Sequence, residues 1–212
     1  MKIVVFGAPG NIGRRVVLEA LARGHEITAA SRDPKRLDIR DRRLRAVSAD
    51  VRDTRTACEI MAGADAVVSA VGPRDGSPPS VVVDAARSLS EAARRAGVRR
   101  LVVVGGAGSL EVSPGLQLVD TPEFPSAWKG VALAHRDALD VYRKAEDLDW
   151  SYLSPAALME PGPRTARYRT GGERLLKDAE GRSRISIDDF AVALLDEVET
   201  PQHVRQRFTV AY

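Results

Sequence analysis

The chain has 212 residues, enough for one domain with a full hydrophobic core and short for two. Its 44% apolar and 29% charged content is that of a globular protein and excludes a disordered or fibrous one. The net charge of +3 is carried by 27 Arg against five Lys, in short clusters such as Arg42, Arg43 and Arg45. Without a long basic run or interleaved aromatics, that charge predicts a solvated surface and no nucleic-acid partner.

Residues 2–6 are an apolar, β-branched run ending at Gly7, the pattern of a buried strand. Residues 11–23 place Ile12, Val16, Val17, Ala20 and Leu21 on one helical face, with Gly24 positioned to end the helix. A second strand is expected over 26–30, a short helix over 34–37 and a third strand over 44–49. A helix over 54–62 then leads to a fourth strand over 64–70. Residues 72–79 are a loop rich in Gly and Pro, 81–96 a long helix closed by Gly97, and 100–104 a fifth strand. Residues 107–126 carry Pro114, Pro122 and Pro125 with little periodicity and are expected to be irregular. Helix returns over 127–147, a sixth strand over 150–153, and 155–172 is expected to be loop. Asp188 is placed to cap a last helix running to 197, and 208–212 to form a terminal strand. The alternation of buried strands and amphipathic helices predicts an α/β domain over 1–212, with a parallel sheet covered on both faces. Substrate-side elements are expected mainly within 107–187.

No apolar run approaches the roughly 20 residues that span a bilayer, so no membrane partner is expected. Met1 leads within one short strand into a glycine turn rather than a longer apolar leader, which predicts no signal peptide. Cys58 is the only cysteine, so no internal disulfide can form and a cytoplasmic location is expected. His25, His135 and His203 are widely spaced, and no metal-site spacing exists. Monomer and homodimer are both compatible with the sequence.

The segment Gly7, Ala8, Pro9, Gly10, Asn11, Ile12, Gly13 stands between the first strand and first helix. Its G-x-x-G-x-x-G spacing answers three demands: a tight turn, backbone close to a pyrophosphate, and a small residue between helix and strand. Phosphates would sit at the helix N-terminus, where free N–H groups favour negative charge. The expected architecture is therefore a Rossmann-type doubly wound sheet that binds a dinucleotide. An acidic residue at the end of the second strand would serve the ribose hydroxyl of NAD, whereas Arg accommodates the extra phosphate of NADP. Here the strand ends in Ser31 and Arg32, which favours NADP(H) over NAD(H), with Lys35 nearby and Asp33 as the residue able to serve NAD instead.

With these segments the chain resembles the atypical short-chain dehydrogenase/reductase superfamily. More narrowly, it resembles the NADH-flavin reductase-like and NmrA-like group related to biliverdin/flavin reductases. The carriers are the glycine turn, Asp50 and Val51 after the third strand, Ala70, Val71 and Gly72 after the fourth, and 103–109 after the fifth. Residues 154–157 and the closing 185–191 complete the set. The resemblance implies that Asp50 and Val51 lie beside adenine and Ala70 to Gly72 under the ribose. It places Gly105, Gly106, Pro155, Ala156 and Ala157 around the nicotinamide.

Typical relatives pair a Tyr with a Lys four residues later, so that the lowered phenol pKa serves carbonyl reduction. This chain departs from that: Tyr142, Tyr152 and Tyr168 are followed at that spacing by Glu146, Ala156 and Gly172. Flavin reduction needs no such pair, because charge delocalises over the ring and solvent supplies the proton. The expected function is an NADPH-dependent oxidoreductase passing hydride to a flavin or similar flat conjugated acceptor, with FMN or FAD as small-molecule substrate rather than prosthetic group. The alternatives are a non-catalytic NADP(H)-sensing regulator and a natural-product reductase, epimerase or isomerase. Ser109, His135 and Lys129 are the candidate polar groups for the acceptor side, His135 as a proton donor near neutral pH.

Overall fold

A computed structural model describes residues 1–73 and 76–212. Apolar residues at every position, not at alternate ones, make its central strands. In β1 (Lys2–Phe6), Ile3 and Val5 enter one core layer while Val4 and Phe6 enter the other. That is the pattern of a strand buried on both faces. The chain continues through α1 (Asn11–Ala22), β2 (Glu26–Ser31), a single 3-10 turn at Pro34–Arg36, β3 (Leu44–Ser48), α2 (Thr54–Met61) and β4 (Ala66–Ser69). Then follow α3 (Val81–Ala96), closed by Gly97 with φ 70°, and β5 (Arg100–Val104). The predicted loop 72–79 lies between β4 and α3, and its residues 74 and 75 fall outside the described residues.

The second half holds β6 (Glu111–Ser113), β7 (Leu116–Gln117), a 3-10 turn at Leu118–Asp120, α4 (Ser126–Arg143) and β8 (Asp149–Ser154). It continues with β9 (Leu158–Glu160), β10 (Arg169–Gly171), β11 (Arg184–Ser186), α5 (Ile187–Glu199) and β12 (Gln206–Ala211). The stretches 107–126 and 155–172, expected to be irregular, thus contain short strands: β6 pairs with β7, β9 with the distant β11, and β10 with β12.

The main sheet has eight strands in the order β10-β12-β8-β5-β4-β1-β2-β3, all parallel except β10. Helices α1 and α5 cover one face, and α2, α3 and α4 the other. The chain order reverses between β1 and β4, so the loops leaving those strands diverge and open a crevice at their carboxyl ends. Every helix between parallel strands runs antiparallel to them, so the first turns of α1, α3 and α4 all lie at this end of the sheet. Among the described residues, no helix is long and apolar enough to cross a membrane.

One expectation about the last helix is corrected. Its cap is Ser186, whose Oγ accepts from the Asp189 N–H at 2.9 Å, while Asp188 is the second residue of the helix. Asp189 is fully buried and accepts from the Thr165 N–H, the Thr165 hydroxyl, the Ala166 N–H and the Tyr212 hydroxyl, each at 2.7 Å. These bonds hold its carboxyl below the usual range despite burial. They also hold Ala166 at φ 56°, a conformation an L-residue rarely adopts. Asp189→Asn directs amide hydrogens at donors, so it should lower stability by about 2–3 kcal/mol. Urea denaturation checks this, and a loss below about 0.5 kcal/mol would contradict the role given to the carboxylate.

Candidate functional site

The glycine turn is built by two close approaches. Gly7 has φ 78°, and a Cβ on it would fall 2.4 Å from the Ala70 carbonyl oxygen at the end of β4. A Cβ on Gly13 would fall 2.2 Å from the Gly7 carbonyl oxygen, so α1 packs against its own entry loop only without a side chain there. Gly10 takes the cap position of α1 without any side-chain hydrogen bond, and the first turn carries no acidic residue. The helix thus presents its N-terminus to the crevice with neither a capping side chain nor a competing carboxylate.

Around this turn lies a cleft of about 600 Å³, within the range of small-molecule sites. Its walls include Gly7, Pro9, Gly10, Asn11 and Ile12 from the turn, and Ser31 and Arg32 from the end of β2. Asp50 and Val51 contribute after β3, and Ala70, Val71 and Gly72 after β4. Four strand ends separated in sequence are therefore brought to one site. Ala8 is fully buried in the core beneath the turn, and Gly13 is the packing contact already described rather than a wall.

Ser31 lines the cleft, yet its Oγ is buried with no hydrogen-bond partner. An orphaned hydroxyl is costly unless something completes it. A cofactor phosphate or ribose oxygen has the required chemistry, and with the glycine cradle and uncapped helix the residues present fit a dinucleotide. Three further wall residues carry charge: Asp33, Arg36 and Arg52. Asp33 spends its side chain on the Lys35 N–H, capping the 3-10 turn at 3.2 Å. Arg52 donates to both carboxylate oxygens of Asp50, from Nη2 at 2.7 Å and Nε at 3.1 Å, and this contact pushes Asp50 down to about 2. Arg36 and Arg52 were not anticipated from the sequence. Their available signal was spacing, Arg36 four residues after Arg32 and Arg52 two after Asp50.

The remaining predicted residues lie at the adjoining ends of β5 and β8, outside the cleft walls. Gly105 leaves room for the Tyr152 ring, since a Cβ there would fall 2.1 Å from its Cε1. A Cβ on Gly106 would fall 2.9 Å from the His135 Cβ. Pro155 and Ala156 are buried, Ala156 within the core, while Ala157 is exposed with its N–H on the Ser183 hydroxyl at 3.0 Å.

The three candidate acceptor-side groups separate. Ser109 is buried, and its Oγ and carbonyl accept from Arg207 Nη1 at 2.8 and 3.0 Å, so it is a tie between this loop and β12 rather than an open donor. Lys129 stands exposed in the first turn of α4. His135 packs against Tyr152, whose hydroxyl donates to the His135 carbonyl at 2.8 Å and lies 3.3 Å from Nδ1. That hydroxyl has one hydrogen, already given to the carbonyl, so Nδ1 carries the ring proton. Burial pushes His135 down to about 4, so the ring is neutral at pH 7; the expectation of a readily protonated donor is corrected accordingly. Burial also raises Tyr142 and Tyr152 above the ordinary phenol value, and Lys144 is exposed at the opposite end of α4. Among the described residues, no group of three His, Cys, Asp or Glu is placed to hold a metal.

The family model for NAD(P)H-binding proteins matches residues 7–198, and the chain belongs to that family. Solved structures are similar over its whole length. A "putative exported protein" from Burkholderia pseudomallei is 50% identical with a TM-score of 0.91, each chain covered completely. A "putative epimerase" from Bacteroides thetaiotaomicron is 40% identical, TM-score 0.93, covering all of this chain and 96% of its own. A "putative NADH-flavin reductase" from Streptococcus pneumoniae is 32% identical, TM-score 0.88, covering all of this chain and 99% of its own. The fold is that of the atypical short-chain dehydrogenase/reductase group, as the strand-end segments implied.

The neutral His135 ring has a consequence for stability. Its folded pKa lies below the ordinary 6.5, so between about 6.5 and 4 the unfolded chain binds a proton that the folded chain refuses. This contribution is present above pH 6.5 and is lost as pH falls, by up to about 3 kcal/mol. The His135 imidazole signals in NMR should not move between pH 5.5 and 8, and titration of that ring near 6.5 would contradict its burial.

Proposed function

We propose that the protein is an NADPH-dependent oxidoreductase whose acceptor is a free flavin or a similarly flat conjugated molecule. The observation that carries this reading is a cleft that gathers the glycine turn and the ends of β2, β3 and β4, beside tyrosines and a histidine that their surroundings hold neutral. Neither Tyr142 nor Tyr152 is paired with a lysine, and His135 remains neutral at physiological pH. Ketone reduction calls for a proton at the nascent alkoxide. A flavin instead accepts hydride at a ring nitrogen and takes its proton from solvent, which leaves the protein to position two flat rings. The name given to the Streptococcus relative supports the same choice.

Bound NADPH would supply the hydride. The Gly7–Gly13 turn and the first turn of α1 would hold its pyrophosphate, and Ser31 would complete its hydroxyl on the adenosine side. Arg32 would form a forked contact with the 2′-phosphate, with the Arg36 charge beside it. The ionised Asp50 carboxylate, held by Arg52, would accept from the adenine amino group. Asp33, occupied by its own turn, would leave the ribose hydroxyl of NADH without a carboxylate partner.

An epimerase is the second reading, favoured by the name of the Bacteroides relative at 40% identity. It requires a group that removes and returns a proton, a task for which His135, whose protonated form is disfavoured by desolvation, is poorly prepared.

The direct test mixes protein, NADPH and FMN and follows absorbance at 340 nm. Oxidation of NADPH well above the buffer rate is expected, with NADH slower, and a rate equal to background rejects the reading. Arg32→Ala should raise KM for NADPH about tenfold, corresponding to a lost charge-assisted contact of about 1.4 kcal/mol, and leave KM for NADH unchanged. Equal effects on both cofactors would remove Arg32 from the 2′-phosphate.

A further inference from the structure

Helix α4 carries a seam at positions 128, 132, 135, 139 and 142, spaced alternately by four and three residues along one helix face. Four of its members are packed: Ala132 stands against Gly108, His135 against Gly106 and Tyr152, and Leu139 and Tyr142 are each 1% exposed. The fifth, Trp128, is 59% exposed although it is the largest side chain in the series. It occupies the first turn of the helix, at the carboxyl end of the parallel strands, where the cofactor cleft opens. A second contact fixes that position: a Cβ on Gly130 would lie 3.5 Å from Pro79, two residues before Val81 of the cleft wall. The indole therefore continues the His135 face beyond the packed body of the domain.

An independent apolar side chain rises at the same end of the sheet from the opposite layer. Leu158, 48% exposed, opens β9 directly after the loop that leaves β8. Its neighbour Met159 packs into the core shared by α1 and α5, whereas α4 belongs to the other core. Trp128 and Leu158 thus flank the ends of β5 and β8 from two sides. The loops that leave β5 and β8 there carry the half-buried Gly106 and the exposed Ala157, with the half-buried His135 packed on Gly106.

We propose that Trp128 is the stacking wall of the acceptor site, its indole face lying on the flat ring of the acceptor, with Leu158 as the opposing apolar contact. This rests on the reading that the acceptor is a flavin-like ring. An indole offers a broad π-surface with few rotatable bonds, suited to a planar conjugated partner. Trp128 is accordingly a specificity and positioning residue for the acceptor, separate from the cofactor half of the site.

The chain has two tryptophans, and the other, Trp150, is 3% exposed within the core. Indole fluorescence therefore separates them. Protein saturated with NADP+ is titrated with oxidised FMN while fluorescence is read, and binding is measured in parallel by equilibrium dialysis. Wild type should show quenching that tracks binding, and Trp128→Phe should lose that quenching while retaining most of the affinity. Trp128→Ala should raise KM for FMN tenfold or more, with kcat and KM for NADPH within twofold and the melting temperature unchanged. A KM for FMN within twofold of wild type in Trp128→Ala overturns the stacking role and leaves the flavin reading standing. Conversion of a wild-type dimer to a monomer in Trp128→Ala, with KM for FMN unaltered, also overturns it and assigns the indole to self-association. Absence of both FMN binding and turnover in wild type overturns the flavin reading and this proposal together.

Discussion

The approach of α1 to β1 is the contact on which the site depends. Only a hydrogen fits between Gly13 and the Gly7 carbonyl, and only a hydrogen between Gly7 and the end of β4. With those gaps closed, the helix starts immediately beyond the strand, and its N-terminus points into the crevice where the chain order of the sheet reverses. A larger residue at Gly13 would push the helix away and move its N–H groups off the position a phosphate must occupy. The fold and the cofactor site are therefore not two features: the packing that completes one core layer also aims the helix end.

At the ends of β5 and β8 a different constraint operates. Gly105 and Gly106 are small because Tyr152 and His135 fill the space that their side chains would take. The result is a tightly packed floor in which the Tyr152 hydroxyl donates to the His135 carbonyl and Arg207 donates to Ser109, while the buried Ser154 hydroxyl is left without a partner. Two of the groups that read in sequence as acceptor-side candidates, Ser109 and His135, are thereby engaged in packing, and burial holds His135 neutral. What this part of the site offers a bound molecule is shape and apolar surface.

The elements legible in the sequence were those with local causes. Strands β1, β4 and β5 are continuous apolar runs, and α3 begins and ends where its periodicity and Gly97 place it. The short strands β6, β7, β9, β10 and β11 have two or three residues each, too few for any period to show. Strand β9 exists because 158–160 finds 184–186, a pairing no local pattern announces. The same distinction divides the site. Small-residue segments at successive strand ends pointed to the cleft, since sheet topology gathers them whatever their side chains do. No local pattern shows that Ser109 is held by Arg207, 98 residues later, or that the turn Asp33 caps engages its carboxylate.

These two halves of the site answer differently to sequence change. The cofactor half is made largely of backbone and of glycines whose replacement collides with main chain, so substitution there disturbs the fold before it changes specificity. The proposed acceptor half is framed by side chains that protrude from α4 and β9, Trp128 and Leu158 being 59% and 48% exposed. Exchanging such residues alters the shape presented to an acceptor at little cost to stability, because surface positions away from caps and cores are the tolerant ones. A chain of this kind can keep one dinucleotide site while its acceptor changes.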